Sequence, residues 1–205
     1  VLQGSIPRDI GSIWGMAFED THVPIIEKLE AAGVKVAYSL PGVKVHAKMA
    51  LIRREDEDGP RLYGYFSTGN FHEETAKIYC DFGLFTSDHR LTAEAGRLFT
   101  FLETGIKPLQ PFKHMMVGQF NLRSTLESLI DREIKNHKAG KPAGITLKLN
   151  SIQDKDIIAK LYQASREGVR IRMIVRGVCS LVPGKKGWSE NIEAISIVDR
   201  YLEHA

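Results

Sequence analysis

The spacing of apolar residues divides most of the chain into alternating helices and strands. Ile25, Ile26, Leu29 and Ala32 recur at helical intervals and predict a helix that ends at Gly33. Further helices are predicted at 91–103, from the cap Asn121 to about 140, and from the cap Asp154 to 168. Strands are predicted at 34–39, 43–51, 62–67, 78–86, 144–150, 169–175 and 195–198. Residues 1–20 show no sustained period. The alternation is typical of an α/β fold, or of an α+β fold with a mixed sheet.

The segment 43–51 alternates with period two, which predicts a strand with one apolar face and one polar face. Lys44, His46 and Lys48 fall on the polar face, because residues two apart project to the same side of a strand. An imidazole beside an ammonium suits an anionic substrate: the lysine attracts phosphate oxygens while a neutral ring nitrogen attacks phosphorus. Taken alone, this tripeptide is more often a solvated strand face.

A second polar segment, Ser67–Asn70, ends the next predicted strand. Its hydroxyls, glycine and amide can place hydrogen-bond donors around a phosphate. By itself, such a segment is usually only a turn. The remaining histidines show no metal-ligand spacing, so we predict no zinc site built by the protein.

Composition adds few restrictions. The 205 residues carry a formal net charge of +3 and are 43% hydrophobic and 26% charged, as in ordinary globular proteins. No apolar run approaches the roughly 20 residues of a membrane span, and residues 1–11 lack the pattern of a secretory signal. The mild charge permits an anionic partner and does not indicate nucleic acid. Cys80 and Cys179 lie far apart, which favours buried, reduced thiols over a disulfide or a zinc site.

Together, an H-x-K motif followed by a strand and a T-G-N turn resembles the phospholipase D superfamily, in which two such motifs from two repeats meet at one site. That superfamily has an aspartate five residues after the lysine, where this chain has Arg53. Longer segments resemble the C-terminal catalytic region of polyphosphate kinase almost continuously from Glu19 to the end. They are VKVHAKMALIRR, YFSTGNFHEETAKIYCDFGLFTSD, GITLKLN, VRIRMIVRGVCSLVPG and SENIEAISIVDRYLEH.

The resemblance implies a phospholipase D-like α/β fold, in which a mixed sheet is flanked by helices in two pseudo-repeats. It divides the chain into a poorly matched segment at 1–20, a first catalytic repeat at 21–118 and a second repeat at 119–205. The second repeat would be incomplete at its C-terminus, because the chain ends where the second motif should continue into its strand.

The resemblance also implies roles for individual residues. His46 matches the autophosphorylated histidine of the family, and His204 matches its second catalytic histidine, an acid–base partner or oxyanion stabiliser. Four further residues would bind substrate or nucleotide phosphates: Lys48, Asn70, Tyr79 and Arg176. Without the family match, Tyr79 reads as a half-buried aromatic residue, Arg176 as the partner of a carboxylate, and His204 as part of a frayed terminus.

The implied reaction is the reversible transfer of the γ-phosphate of ATP to inorganic polyphosphate through a phosphohistidine, with Mg²⁺ bound mainly through the nucleotide phosphates. ATP, ADP and polyphosphate would be the ligands, without nucleic acid. The family is homo-oligomeric and cytoplasmic, often peripheral to the inner membrane. Two alternatives stay open: a phospholipase D-type phosphodiesterase, against which Arg53 argues, and a non-catalytic polyanion-binding module. We expect the chain alone to have weak or no kinase activity, because an incomplete second repeat would hold His204 poorly.

Overall fold

A computed structural model describes residues 2–5, 12–16, 23–36, 40, 42, 44–197 and 202–204 of the chain. The chain forms two compact units, one of residues 1–115 together with His204 and one of residues 116–203 together with residue 205. Within the described ranges, no helix is long and apolar enough to cross a membrane. Both cysteines are free and exposed, so the prediction that they are buried was wrong.

The described residues form eleven strands and five helices. Those before residue 116 are β1 Leu2–Ser5, β2 Ser12–Met16, α1 Val23–Ala31, β3 Lys35–Val36, β4 Lys48–Asp56, β5 Gly59–Ser67, α2 Glu73–Ala76, β6 Tyr79–Asp81, β7 Gly83–Thr86 and α3 His89–Thr104. Those after it are α4 Leu122–Lys138, β8 Ile145–Leu149, α5 Lys155–Arg166, β9 Ile171–Val175, β10 Ile192–Ile195 and β11 Leu202–His204. The mixed α/β architecture, with sheets flanked by helices, is the one that the sequence predicts.

The first unit is built on a six-stranded sheet in the order β3-β1-β2-β4-β5-β7. The hairpin of β4 and β5 lies inside it: Asp56 pairs with Gly59 across a two-residue turn, and Lys48 pairs with Ser67 at the other end. β4 also pairs with β2, so it is an inner strand. The sequence shows no period at 1–20, yet β1 and β2 form an antiparallel pair there.

The strand predicted at 43–51 differs from the observed β4 in two respects. Residues 44–47 are not in a strand, and β4 continues to Asp56. Residues 48–51 are all buried, whereas the alternation predicted Lys48 on a polar face. The reason is that alternation marks a strand with one face in solvent, while an inner strand covered on both faces reads as a continuous buried run.

Helix α3 covers part of this sheet by packing against β4 and β5. The Asp88 side chain caps it by accepting a hydrogen bond from the Arg90 N–H, and Gly105 ends it in the left-handed conformation, with φ of 73°. The segment predicted as one strand at 78–86 is divided instead. β7 joins the large sheet beside β5, and β6 pairs with β11 in a two-stranded sheet.

The second unit has a parallel sheet in the order β10-β9-β8, accompanied by α4 and α5. Asp154 caps α5 by accepting hydrogen bonds from the N–H groups of Asp156 and Ile157, as predicted. The strand predicted at 195–198 is displaced: β10 is Ile192–Ile195, because Ile192 is buried and pairs with β9. Residue 198 lies outside the described residues. The core of this unit is made by Ile130, Ile134, Ile152, Ile158, Leu161, Ala164, Val169, Ile171, Met173, Val175, Leu181 and Ile192.

Candidate active site

The pairing of β4 with β5 brings the two polar motifs of the sequence together. Lys48 is the first residue of β4 and lies opposite Ser67, the last residue of β5. His46 comes two residues before β4, and Asn70 comes three residues after β5. Since the strands are antiparallel, both motifs lie at the same end of the hairpin.

His46 and Lys48 are in direct contact. Lys48 Nζ lies 3.0 Å from Nε2 and 3.2 Å from Nδ1 of the imidazole. Because Nζ is almost equally near both ring nitrogens, the ammonium lies against the ring rather than in line with one lone pair. Lys48 is 4% exposed, whereas His46 is exposed. A buried stem thus holds a positive charge beside an accessible imidazole, which suits attack on a phosphate group.

The turn at 68–70 uses its first two backbone donors internally. The Thr68 N–H donates to the Phe82 carbonyl over 3.0 Å, and the Gly69 N–H donates to Ser67 Oγ over 2.9 Å. Asn70 Oδ1, by contrast, is buried and has no hydrogen-bond partner within the described residues. A buried amide oxygen without a partner costs stability. The unmet bonding capacity of Asn70 is thus that of an acceptor, and the predicted contact with a phosphate oxygen would have to come from its Nδ2 donor.

His204 is held by two residues of β6. Its Nδ1 lies 2.8 Å from Asp81 Oδ1, and its ring centroid lies 4.9 Å from that of Tyr79. Both partners point towards His204 because residues two apart on a strand share a face. The His204 side chain is 23% exposed. It is therefore packed and hydrogen-bonded, which differs from the frayed terminus that its position in the sequence suggests.

Asp81 is a member of this cluster that the sequence analysis did not identify. The sequence feature that could have identified Asp81 is its position two residues after Tyr79 in a predicted strand. This spacing puts the carboxylate on the same face as the tyrosine ring. An aspartate that accepts from Nδ1 of a histidine orients the ring and leaves Nε2 for proton exchange with a substrate, as in acid–base catalysis.

Arg176 belongs to the second unit, where it follows β9 directly. Its Nε and Nη2 lie 3.1 and 2.9 Å from Asn150 Oδ1, and Asn150 follows β8 in the same way. The carboxyl ends of two parallel strands therefore place an arginine and an amide side by side, at the edge where open α/β sheets bind ligands.

Other candidates have structural roles. His72 caps α2, with Nδ1 accepting from the Thr75 N–H over 3.3 Å. Arg53, which replaces the superfamily aspartate, is exposed and pairs with Glu55 over 2.7 Å. In the part of the chain that the structure describes, no group of three or more His, Cys, Asp or Glu side chains could hold a metal ion.

Comparison with known proteins gives the family. Residues 18–108 match the family model described as polyphosphate kinase C-terminal domain 1, and residues 115–205 match that of C-terminal domain 2. The chain belongs to the polyphosphate kinase family. The match to the two domains covers the segments from which the sequence predicted this relationship, so the prediction of the family is confirmed.

The most similar polyphosphate kinases include that of Vibrio vulnificus strain YJ016, which is 52% identical over 186 residues, and that of Escherichia coli K12, which is 47% identical over 186 residues. Each alignment covers 91% of this chain, so the chain spans about a quarter of the length of these relatives, 26% and 27% respectively. The crystal structure of polyphosphate kinase from Porphyromonas gingivalis superposes with a TM-score of 0.80 at 41% identity, covering 92% of this chain and 31% of that one.

The structural match confirms the predicted phospholipase D-like α/β fold of the polyphosphate kinase family. The geometry brings His46 next to Lys48, and His204 next to Tyr79, within the first unit. The roles of these residues, together with those of Asn70 and Arg176, stay predictions.

Proposed function

We propose that this chain is the catalytic part of a polyphosphate kinase that transfers the γ-phosphate of ATP reversibly to polyphosphate through a phosphohistidine at His46. The observation that carries the proposal is the contact between the exposed imidazole of His46 and the buried ammonium of Lys48. The names of the relatives support the reaction, since they are polyphosphate kinases.

In the first half-reaction, a ring nitrogen of His46 attacks the γ-phosphorus of ATP. The N–P bond forms as the bond from phosphorus to the β–γ bridging oxygen breaks, and ADP leaves. In the second, a terminal oxygen of polyphosphate attacks the phosphohistidine, the N–P bond breaks, and the chain grows by one unit. Lys48 stabilises the negative charge that develops on the transferred group. Asn70, Tyr79 and Arg176 bind phosphate oxygens, and His204, oriented by Asp81, assists proton balance.

Mg²⁺ enters this proposal together with the nucleotide. At the β4–β5 end, the Lys48 ammonium attracts phosphates and repels a bare cation, and His46 offers a nitrogen where Mg²⁺ takes oxygen ligands. Mg²⁺ carried on the ATP phosphates is compatible with these two groups. It would neutralise part of the phosphate charge, and Lys48 would contact a phosphate oxygen that the cation does not bind.

Labelling tests the nucleophile. The protein at its natural full length and the 205-residue chain are incubated with γ-labelled ATP and Mg²⁺, as wild type and as His46→Ala. His89→Ala serves as the control, because His89 lies at the exposed start of α3. We expect acid-labile, alkali-stable label on the full-length wild type and on His89→Ala, and none on His46→Ala.

Two outcomes contradict the proposal. Label that persists in His46→Ala places the nucleophile elsewhere, and the complete absence of acid-labile label from the full-length protein removes the covalent mechanism. Turnover of a chromogenic phosphodiester without ATP would instead support the phosphodiesterase alternative. Polyphosphate binding that His46→Ala barely weakens, without labelling, would support the binding-module alternative.

We also propose that the whole protein is a cytoplasmic homo-oligomer, peripheral to the inner membrane, and that it binds ATP, ADP and polyphosphate. The family relationship supports this proposal. Light scattering after size-exclusion chromatography tests the oligomer, and cell fractionation tests the location.

A further inference from the structure

The hydroxyl group of Thr68 lies between a backbone amide and the Asp81 carboxylate. The Phe82 N–H donates to Thr68 Oγ1 over 3.0 Å, and Thr68 Oγ1 donates to Asp81 Oδ1 over 3.2 Å. An amide N–H can only donate, so the hydroxyl accepts there and its single proton points to the carboxylate. The direction of both hydrogen bonds is thereby fixed by chemistry.

The next bond in the series follows from the same reasoning. An ionised carboxylate only accepts, so Asp81 Oδ1 accepts from Thr68 and also from His204, whose Nδ1 lies 2.8 Å away. His204 must then carry its proton on Nδ1, and in the neutral ring Nε2 keeps its lone pair. The ring nitrogen that carries the proton is set by the hydrogen bond that nitrogen makes.

A second contact restrains the same carboxylate. A Cβ atom added at Gly69 would lie 2.3 Å from Asp81 Oδ2 and 2.5 Å from its Cγ. The backbone of residue 69 therefore packs directly against the carboxylate, on which the Thr68 hydroxyl also acts. The two neighbouring residues of the turn limit where Asp81 can place its oxygens.

We propose that Thr68 is a positioning residue that acts through Asp81 to hold His204 as the tautomer protonated on Nδ1. The T-G-N turn would then have two roles: Thr68 would position His204, and Asn70 would bind the phosphate. The effect on turnover rests on the proposed function, in which His204 assists phosphoryl transfer. The effect on the tautomer does not depend on it.

The test removes the hydroxyl group and then restores it. Thr68→Val loses both hydrogen bonds at similar volume, and Thr68→Ser keeps them. Thr104→Val is the matched control, because Thr104 Oγ1 likewise accepts from a backbone N–H, that of Ile106, and donates to an oxygen, the Thr100 carbonyl. In the part of the chain that the structure describes, no hydrogen bond joins Thr104 to Asp81.

The first readout is the ¹⁵N spectrum of the histidine rings in the 205-residue chain, with His204 assigned by loss of its signals in His204→Gln. We expect wild type, Thr68→Ser and Thr104→Val to show Nδ1 protonated and Nε2 unprotonated in the neutral ring. Thr68→Val should show a mixture, because Asp81 Oδ1 then loses the hydrogen bond that holds it in position for His204. A melting curve for each variant checks that it is folded.

The second readout is the kinetics of the protein at its natural full length. We expect Thr68→Val to lower kcat about tenfold or more while the KM for ATP changes less than about twofold, and Thr68→Ser to recover most of the rate. A Thr68→Val protein with the wild-type tautomer and kcat overturns the proposal, as does a Thr68→Ser protein as impaired as Thr68→Val. If the wild type forms no phosphohistidine, the proposed function fails, and the tautomer comparison still decides the role of Thr68.

Discussion

Lys48 is buried beside the exposed imidazole of His46. Removing the charge of Lys48 tests whether that charge takes part in the reaction. We predict that Lys48→Met lowers the rate of phosphohistidine formation about a hundredfold, the usual scale for loss of one group that stabilises transition-state charge. We also expect the free energy of unfolding to be unchanged or higher, because a desolvated ammonium, 4% exposed, is replaced by an apolar chain. Rapid-quench labelling and urea unfolding measure the two effects. Lys107→Met, at an exposed lysine, is the control. A rate within about twofold of wild type would remove Lys48 from the mechanism.

At the same scale, the sequence could predict some contacts between the candidate residues and not others. His46 and Lys48 stand two residues apart, so a short motif predicts their proximity. The link between Asp81 and His204 joins residues 123 apart, and nothing local marks it. The sequence allowed a hydroxyl of the segment Ser67–Asn70 to donate to a phosphate, and in the structure the Thr68 hydroxyl donates to Asp81. Short polar side chains have several partners within reach, and only the packed fold selects one.

At the scale of elements, the turn at residues 57–58 sets the register of β4 on β5. Gly59 has a φ of 111°, where side chains are strained, and a Cβ there would meet no atom within 4 Å. We therefore predict that Gly59→Ala lowers the free energy of unfolding by about 1–3 kcal/mol through backbone strain alone. Gly118→Ala is the matched control: its Cβ would also lie in open space, without the positive φ, and we expect a change within about 0.5 kcal/mol. Urea unfolding compares them, and equal effects would show that conformation at residue 59 is unimportant.

Local signals explain which elements were predictable. The cap at Asp154 and the end of α3 at Gly105 depend on residues next to the helix, so the boundaries of α3 and α5 lie close to the predicted ones. The strands were harder. β1 and β2 depend on pairing with distant strands, and the burial of residues 48–51 depends on β4 being an inner strand. Hydrophobic alternation reports a half-exposed strand and does not indicate a fully covered one.

At the scale of the whole molecule, Glu94 of α3 holds the chain where the first unit ends. Its carboxylate, in a residue 3% exposed, accepts hydrogen bonds from the backbone N–H groups of Lys113, His114 and Met115. Burial acts to raise the pKa of Glu94, but these hydrogen bonds and the neighbouring Arg97 guanidinium outweigh it, so the pKa is lowered. The continuous part of the first unit ends at residue 115, so these hydrogen bonds hold its last three residues to α3.

Because the pKa of Glu94 is lowered, the contribution of its hydrogen bonds to the free energy of unfolding depends on pH. A carboxyl whose pKa is lower in the folded protein contributes stability above its unfolded pKa of about 4.3, and this contribution is lost as the pH falls through the folded value. We predict that Glu94→Gln lowers the free energy of unfolding at pH 7 by about 2 kcal/mol, and that the difference from wild type narrows as the pH falls below about 4.

The other carboxyls with lowered pKa values titrate in both proteins and cancel in the comparison: Asp56, Asp88, Glu133 and Asp154. Urea unfolding at several pH values measures the difference, and Glu57→Gln, at an exposed turn, is the control and should follow wild type throughout. A difference that stays constant down to low pH would mean that the Glu94→Gln substitution disturbs packing, and that the ionised carboxylate is not what holds residues 113–115.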